Sequence, residues 1–227
     1  MTRGKLPAVV ATSRNERVAA GLAAAGLYAC VAVVAVRVRG RSGPLRVDAT
    51  GLHYMGRPTV AERLAPYHLA RLDGPELLRG VVWFGSRGGV AAAVAVLVVA
   101  ALAWRDRACA LIAVAGPLAA LVLTEQILKP LVDRTGPNGG NFFPSGHATG
   151  VAAVAAATLF VLDRNAGRGW ALLALPVLGA WVSGVSVALV QLHYHYVTDV
   201  LGGAAVGVAT VLSMAAVAPP TRQHAPT

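Results

Sequence analysis

The chain has 227 residues, a formal charge of +10 and a mean hydropathy of +0.61, with 56% hydrophobic and only 13% charged residues. Soluble domains carry about 25% charged residues, so this chain has too little charge to coat a soluble surface. A soluble enzyme, a disordered tail and a disulfide-dense secreted module are excluded on the same ground.

In chain order, six stretches are free or nearly free of charge: Val18–Val36, Gly88–Trp104, Ala108–Leu128 with Glu125 near its end, Ser145–Leu162, Gly169–Leu192 and Val200–Pro219. A helix crossing a hydrocarbon core of about 30 Å needs about 20 apolar residues. The pattern predicts an all-α polytopic membrane protein, a bundle of six transmembrane helices. One membrane domain then covers 1–227, with an N-terminal tail (1–17), a basic interfacial loop (37–87), a helical core carrying the chemistry (88–216) and a C-terminal tail (217–227).

Arg3, Lys5, Arg14 and Arg17 precede the first stretch as they would in a signal peptide. Its apolar run exceeds the usual core of about 7–15 residues and ends at Arg37-Val38-Arg39 without a small-residue cleavage site, which predicts a retained helix. Cys30 and Cys109 fall inside spans and read as small core residues, giving no disulfide or metal site. The loop 37–87, with its arginines and Tyr54, Tyr67, Trp83 and Phe84, reads as a headgroup-contacting connector; interfacial helices over the site are the other reading. The positive charge suits anionic headgroups or phosphate substrates. No basic run with interleaved aromatics supports nucleic acid. Lysines and arginines divide almost evenly between the two faces, but parity places residues 37–87, 129–144 and 193–199 on one face.

The chemically capable residues gather in two of those segments, Lys129–His147 and His193–Asp199. In Pro144-Ser145-Gly146-His147, proline and serine are helix-start residues, so the fourth span begins there. Its free N–H groups offer an oxyanion site that Gly146 lets a phosphate approach, although an ordinary capped helix has the same residues. His195 and Asp199 share a face if the last helix has begun, so the carboxylate can fix the imidazole tautomer and leave the other nitrogen as base or nucleophile. A plain interfacial His–Asp pair is equally compatible. Lys129 lies four residues after Glu125, in the favourable orientation for a helical ion pair; its functional reading is a positive charge reaching the same anion as Ser145 and Gly146, and for it and for Arg134 the other reading is a cation snorkelling to headgroups. Arg134 can grip two oxygens at once. His193 and His195 can ligate a metal together only in an extended segment, and no His-Glu-x-x-His or cysteine pattern accompanies them.

Together these blocks resemble the type 2 phosphatidic acid phosphatase (lipid phosphate phosphatase) superfamily, related to the vanadium haloperoxidases. That family has Lys, six residues, Arg-Pro; then Pro-Ser-Gly-His; then Ser-Arg, five residues, His, three residues, Asp. Here Pro144–His147 is complete, Pro137 stands at the right distance from Lys129, and His195 and Asp199 keep their spacing. Gly136 and Leu189 stand where the family has arginines, and the expected substitutes are Arg134, His193 or an arginine of the 37–87 loop.

The resemblance implies a catalytic set of His195, His147 and Asp199. His195 forms a phosphohistidine, Asp199 orients it, and His147 protonates the leaving oxygen and then activates water. Lys129, Arg134, Ser145, Gly146 and His193 bind substrate, with no metal and no cofactor. The implied partners are a membrane lipid substrate, of the phosphatidic acid or polyprenyl phosphate or diphosphate type, and the bilayer, without nucleic acid. An alanine-, valine- and arginine-rich vocabulary suggests a bacterial cell membrane, with the site expected on its extracytoplasmic face. A lipid phosphotransferase using the same residues, and a non-catalytic lipid-phosphate binder or carrier, are the alternatives.

Overall fold

The computed structural model describes residues 14–54, 76–136 and 140–218. Its helices are α1 (Arg14–Val38), α2 (Arg46–Tyr54), α3 (Glu76–Trp83), α4 (Arg87–Ala103), α5 (Arg107–Val122), α6 (Lys129–Val132), α7 (Gly146–Asn165), α8 (Arg168–Gln191) and α9 (Val197–Val217). A π-helical stretch, Leu123–Leu128, joins α5 to α6, so Arg107–Val132 forms one continuous crossing. Among the described residues, five helical segments are long and apolar enough to cross a membrane. The bent pair α3 and α4, which meet at 47°, makes a sixth crossing if the two helices together form one span. With 17 residues, α4 reaches only about 25 Å, so it falls short of the core alone. The chain is therefore a multi-pass, all-helical membrane protein.

Apolar burial does not drive helices together inside lipid, where small residues that let backbones approach do more of the work. In α9, Gly203 lies against the Ser145 carbonyl and Gly207 against the Thr149 carbonyl, so a Cβ at either position would collide with the backbone of α7. These glycines set α7 and α9 side by side at the centre of the bundle. Around them α1, α5 and α8 present Ala, Val and Leu, while Leu111, Leu173, Val177 and Leu201 face outward, as expected of a lipid-facing surface. Cys109 is buried, but Cys30 lies exposed on the outside of α1 and is not the core residue its apolar setting predicts.

Among the described residues, the segment expected as a connector contains two helices. The cap of α2 is local: Asp48 Oδ2 accepts the Leu45 N–H at 2.9 Å, a carboxylate satisfying a donor at a helix start. α2 packs against the first turn of α9, where Gly51 touches Val197. Tyr67 and the candidate cations Arg57, Arg63 and Arg71 lie outside the described residues, as do Pro137 and both chain ends.

The end of α1, α2, the turn after α6 and the starts of α7 and α9 share one end of the bundle. The Gly40 N–H donates to the Val132 carbonyl at 3.0 Å and the Thr135 N–H to the Arg41 carbonyl at 3.0 Å. At the other end, Asp106 caps α5 through the Cys109 N–H at 3.1 Å and receives Arg164 Nε of α7 at 2.7 Å. A groove of about 830 Å³ runs between α1 and α8 over α7 and α9, lined by apolar residues such as Leu27, Leu159, Leu175, Val182 and Leu201.

Candidate active site

The chemistry-bearing end begins with two helix starts. Ser145 is the N-cap of α7, its Oγ accepting the Ala148 N–H at 3.4 Å and leaving its own proton to donate. Its backbone N–H donates to the Asp199 carbonyl at 2.9 Å, which ties the start of α7 to the first turn of α9. Ser145, Gly146 and His147 are thus brought to the same place as His195 and Asp199.

Lys129 reaches this point from the third crossing. The π-helical stretch before it carries Glu125, and Lys129 Nζ donates to both carboxylate oxygens, at 2.8 and 2.9 Å. That carboxylate lies directly against Gly146, where a Cβ would collide with Oε1. The helical ion pair expected from the spacing forms, and it sets an anion between the lysine and the start of α7. The ground assigned to a phosphate is occupied by a carboxylate of the protein itself.

His195 lies two residues before α9 rather than on it, because the helix begins only at Val197. Its Nδ1 faces Asp199 Oδ2 at 3.7 Å, too far for the hydrogen bond that a shared helical face predicts. Oδ2 instead accepts the Tyr196 N–H at 2.9 Å. His195 Nδ1 is buried with no hydrogen-bond partner among the described residues. The ring lies tilted at 60° against that of Phe142, with centroids 5.3 Å apart.

Arg134 is fully buried, contrary to its expected part as a two-oxygen grip on substrate. One terminal nitrogen donates to Asp199 Oδ1 at 2.5 Å and to Thr198 Oγ1 at 2.7 Å. The other donates to Asp48 Oδ2 at 2.8 Å and to the Gly43 carbonyl at 3.2 Å. Both prongs of the fork are spent inside the protein. The guanidinium also lies 4.5 Å from the centre of the Tyr196 ring. Burial pushes the Tyr196 phenol up from its ordinary range, Arg134 opposes this, and Asp199 and Asp48 add to it, so the phenol stays neutral beside the cluster.

The two positions where the family has arginines are filled by packing. Gly136 lies under the Phe142 ring, which any Cβ there would strike. A short antiparallel turn presents that ring, with the Phe142 N–H donating to the Arg134 carbonyl at 2.8 Å and the Gly136 N–H to the Gly140 carbonyl at 3.0 Å. Leu189 is wholly buried with Val185 and Val190 of α8. His193 sits in the turn between α8 and α9 at φ 56°, the left-handed region that a non-glycine residue seldom adopts. Among the described residues no group of three His, Cys, Asp or Glu side chains comes together as a metal-ligand set.

Two participants escape a reading of the sequence. Asp48 is the first carboxylate after Arg37, Arg39, Arg41 and Arg46, a change of sign that is visible but does not announce its partner. Thr198, beside Asp199, reads as one more helix residue until its hydroxyl is seen between Arg134 and Asp48, 3.1 Å from Asp48 Oδ2.

No curated protein matches the sequence. Among solved structures, the chain resembles the crystal structure of a transmembrane PAP2-type phosphatidylglycerolphosphate phosphatase from Bacillus subtilis. The TM-score is 0.63 at 17% identity, covering 85% of this chain and 93% of that one, a likeness of fold. Residues 110–222, which hold every site segment except α2, match the profile of the PAP2 superfamily. With its motif blocks converging at one end of a helical membrane bundle, the chain belongs to the PAP2 superfamily of membrane phosphatases.

Proposed function

We propose that this protein hydrolyses a lipid-linked phosphate or diphosphate through a phosphohistidine formed on His195. The family and the shared fold support a membrane lipid phosphatase. The observation that carries the finer reading is the placement of His195, its Nδ1 turned to the buried Asp199 carboxylate, beside the helix start that carries Ser145, Gly146 and His147.

In this reading His195 Nδ1 keeps its proton toward Asp199, and the Nε2 lone pair attacks phosphorus. The bond from phosphorus to the lipid oxygen breaks, and that oxygen takes a proton from protonated His147. Neutral His147 then removes a proton from water, the hydroxyl attacks phosphorus, and the phosphorus–nitrogen bond returns its electrons to His195 as phosphate leaves. The 3.7 Å gap to Asp199 closes by about 1 Å once the ring carries positive charge, since catalytic hydrogen bonds are often long before substrate binds. Lys129, the Ser145 hydroxyl and the Gly146 N–H hold the equatorial oxygens, which requires the phosphate to displace Glu125 from Lys129. Arg134 acts from behind Asp199 rather than on the phosphate. The apolar groove is separate from this anion site, because none of Lys129, Ser145, His147, His195 or Asp199 lines it. Leu201, one turn into α9, is among the residues that line it.

Phosphate release from a panel of lipid phosphates and diphosphates in detergent with EDTA tests this reading. Wild type is expected to turn over at least one of them, and His195→Ala to lose at least about a thousandfold, the scale on which nucleophile deletions act. Undiminished release by His195→Ala would refute it.

A further inference from the structure

Asp48 lies on a helix outside the family's three motif blocks, and its side chain is fully buried although α2 is a short, polar segment. It makes four contacts. Oδ2 accepts the Leu45 N–H, Arg134 at 2.8 Å and the Thr198 hydroxyl at 3.1 Å, while Oδ1 accepts the Thr198 backbone N–H at 2.8 Å. The Thr198 N–H belongs to the first turn of α9, so a carboxylate from α2 satisfies an open donor of the helix that carries Asp199. A short helix in a long loop thereby holds the backbone beside the catalytic carboxylate. Gly51, one turn further along α2, lies close enough to Val197 to admit no side chain.

The charges point the same way. Arg134 is permanently cationic, and it is shared between Asp199 Oδ1 and Asp48 Oδ2. With Asp199 as its only partner, the guanidinium would cancel the one carboxylate that faces His195. With two carboxylates dividing it, the buried cluster keeps an excess of negative charge toward the imidazole, which becomes positive when phosphorylated. Charges in such a water-poor place act strongly on one another.

We infer that Asp48 is a positioning residue for the phosphohistidine step: by sharing Arg134 and bonding Thr198 it fixes Asp199 and leaves it free to compensate the charge on His195. The inference rests on the phosphatase reading above.

The test is steady-state kinetics of the full chain in detergent on a lipid phosphate that the wild type turns over, with Asp48→Asn, Asp199→Asn and the double variant. Asp48→Asn is expected to lower kcat at least tenfold while KM moves less than threefold, because its effect falls on charge developed in the reaction rather than on binding. In the Asp199→Asn background the same substitution is expected to cost less than threefold, since it acts through that carboxylate. A kcat within twofold of wild type, a change confined to KM, or the same loss in both backgrounds would overturn the inference. If Asp48→Asn does not accumulate as folded protein, Thr198→Val carries the test. It keeps the backbone N–H to Asp48 and removes the hydroxyl that links Asp48 Oδ2 with Arg134; a kcat loss of threefold or more at constant KM that disappears in the Asp199→Asn background supports the inference, and an unchanged kcat overturns it. The two readings fail separately. An active Asp48→Asn beside an inactive His195→Ala removes only the role of Asp48, whereas an active His195→Ala removes the phosphatase mechanism beneath it.

Discussion

Both ends of the bundle bury an arginine against a carboxylate from another segment, yet the two pairs are built differently. At the end away from the histidines, Arg164 of α7 meets Asp106, which caps α5, and both carboxylate oxygens are engaged, Oδ1 by the Cys109 N–H and Oδ2 by Arg164. At the other end Arg134 meets both Asp48 and Asp199, so one cation is divided between two anions, and one of those faces a histidine that lacks a hydrogen bond at Nδ1. The first arrangement ties the start of α5 to the end of α7, a link between helices. The second leaves a negative charge directed at a ring nitrogen, which structure alone would not require. Breaking a buried pair by removing one partner costs about 3–5 kcal/mol whatever its purpose, so stability does not distinguish the two ends, and activity per folded molecule does.

The largest expected effect is therefore the contrast between Arg134→Met and Arg164→Met. Both variants are expected to melt at lower temperature in detergent. Arg134→Met should lose at least a hundredfold in kcat on a lipid phosphate, while folded Arg164→Met stays within about twofold of wild type. Equal losses of kcat per folded molecule would mean that the two pairs do the same job.

A smaller effect is expected where the anion site holds its own carboxylate. The pair of Glu125 and Lys129 is partly exposed, and such a pair is worth about 0.2–1 kcal/mol. Glu125→Gln removes the competitor for Lys129, so KM and the inhibition constant of inorganic phosphate are each expected to fall by up to roughly fivefold. A raised KM would show that Glu125 holds Lys129 in place for substrate rather than competing with it.

The smallest effect belongs to the other end. Burial raises the Asp106 carboxyl, but the Cys109 N–H and Arg164 outweigh this and hold it below its ordinary value of 3.8. A depressed carboxyl contributes stability above its unfolded value and loses it as pH falls through the folded one. The melting-temperature gap between wild type and Asp106→Asn is thus expected to be full at pH 7 and to shrink below about pH 4. A gap that does not change with pH would place the effect of Asp106 in packing rather than charge.

The fold was legible in the sequence because transmembrane helices advertise themselves by length and lack of charge. Gly203 and Gly207, four residues apart, mark a face of α9 that allows close packing, and the structure shows that α7 takes it. The weak second crossing was not legible as a bent pair, since Gly85, Ser86 and Arg87 interrupt apolar sequence without revealing an angle. At the site, the cap at Ser145 and the pairing of Glu125 with Lys129 are local and could be read from spacing. The destination of Arg134 could not, because Asp48 is 86 residues away in the chain and nothing local records the meeting. Gly136 teaches the same lesson from the other side. Against the family pattern it reads as a missing cation, and in three dimensions it is the space that the Phe142 ring needs.

Covalent trapping tests the central claim most directly. The full chain is mixed with a lipid phosphate labelled in its phosphoryl group and quenched in base, under which phosphohistidine survives and acyl phosphates do not. The account predicts label on the peptide containing His195, labile to acid and absent from His195→Ala. Label on another residue, or full turnover by His195→Ala with no labelled protein in either chain, would contradict it.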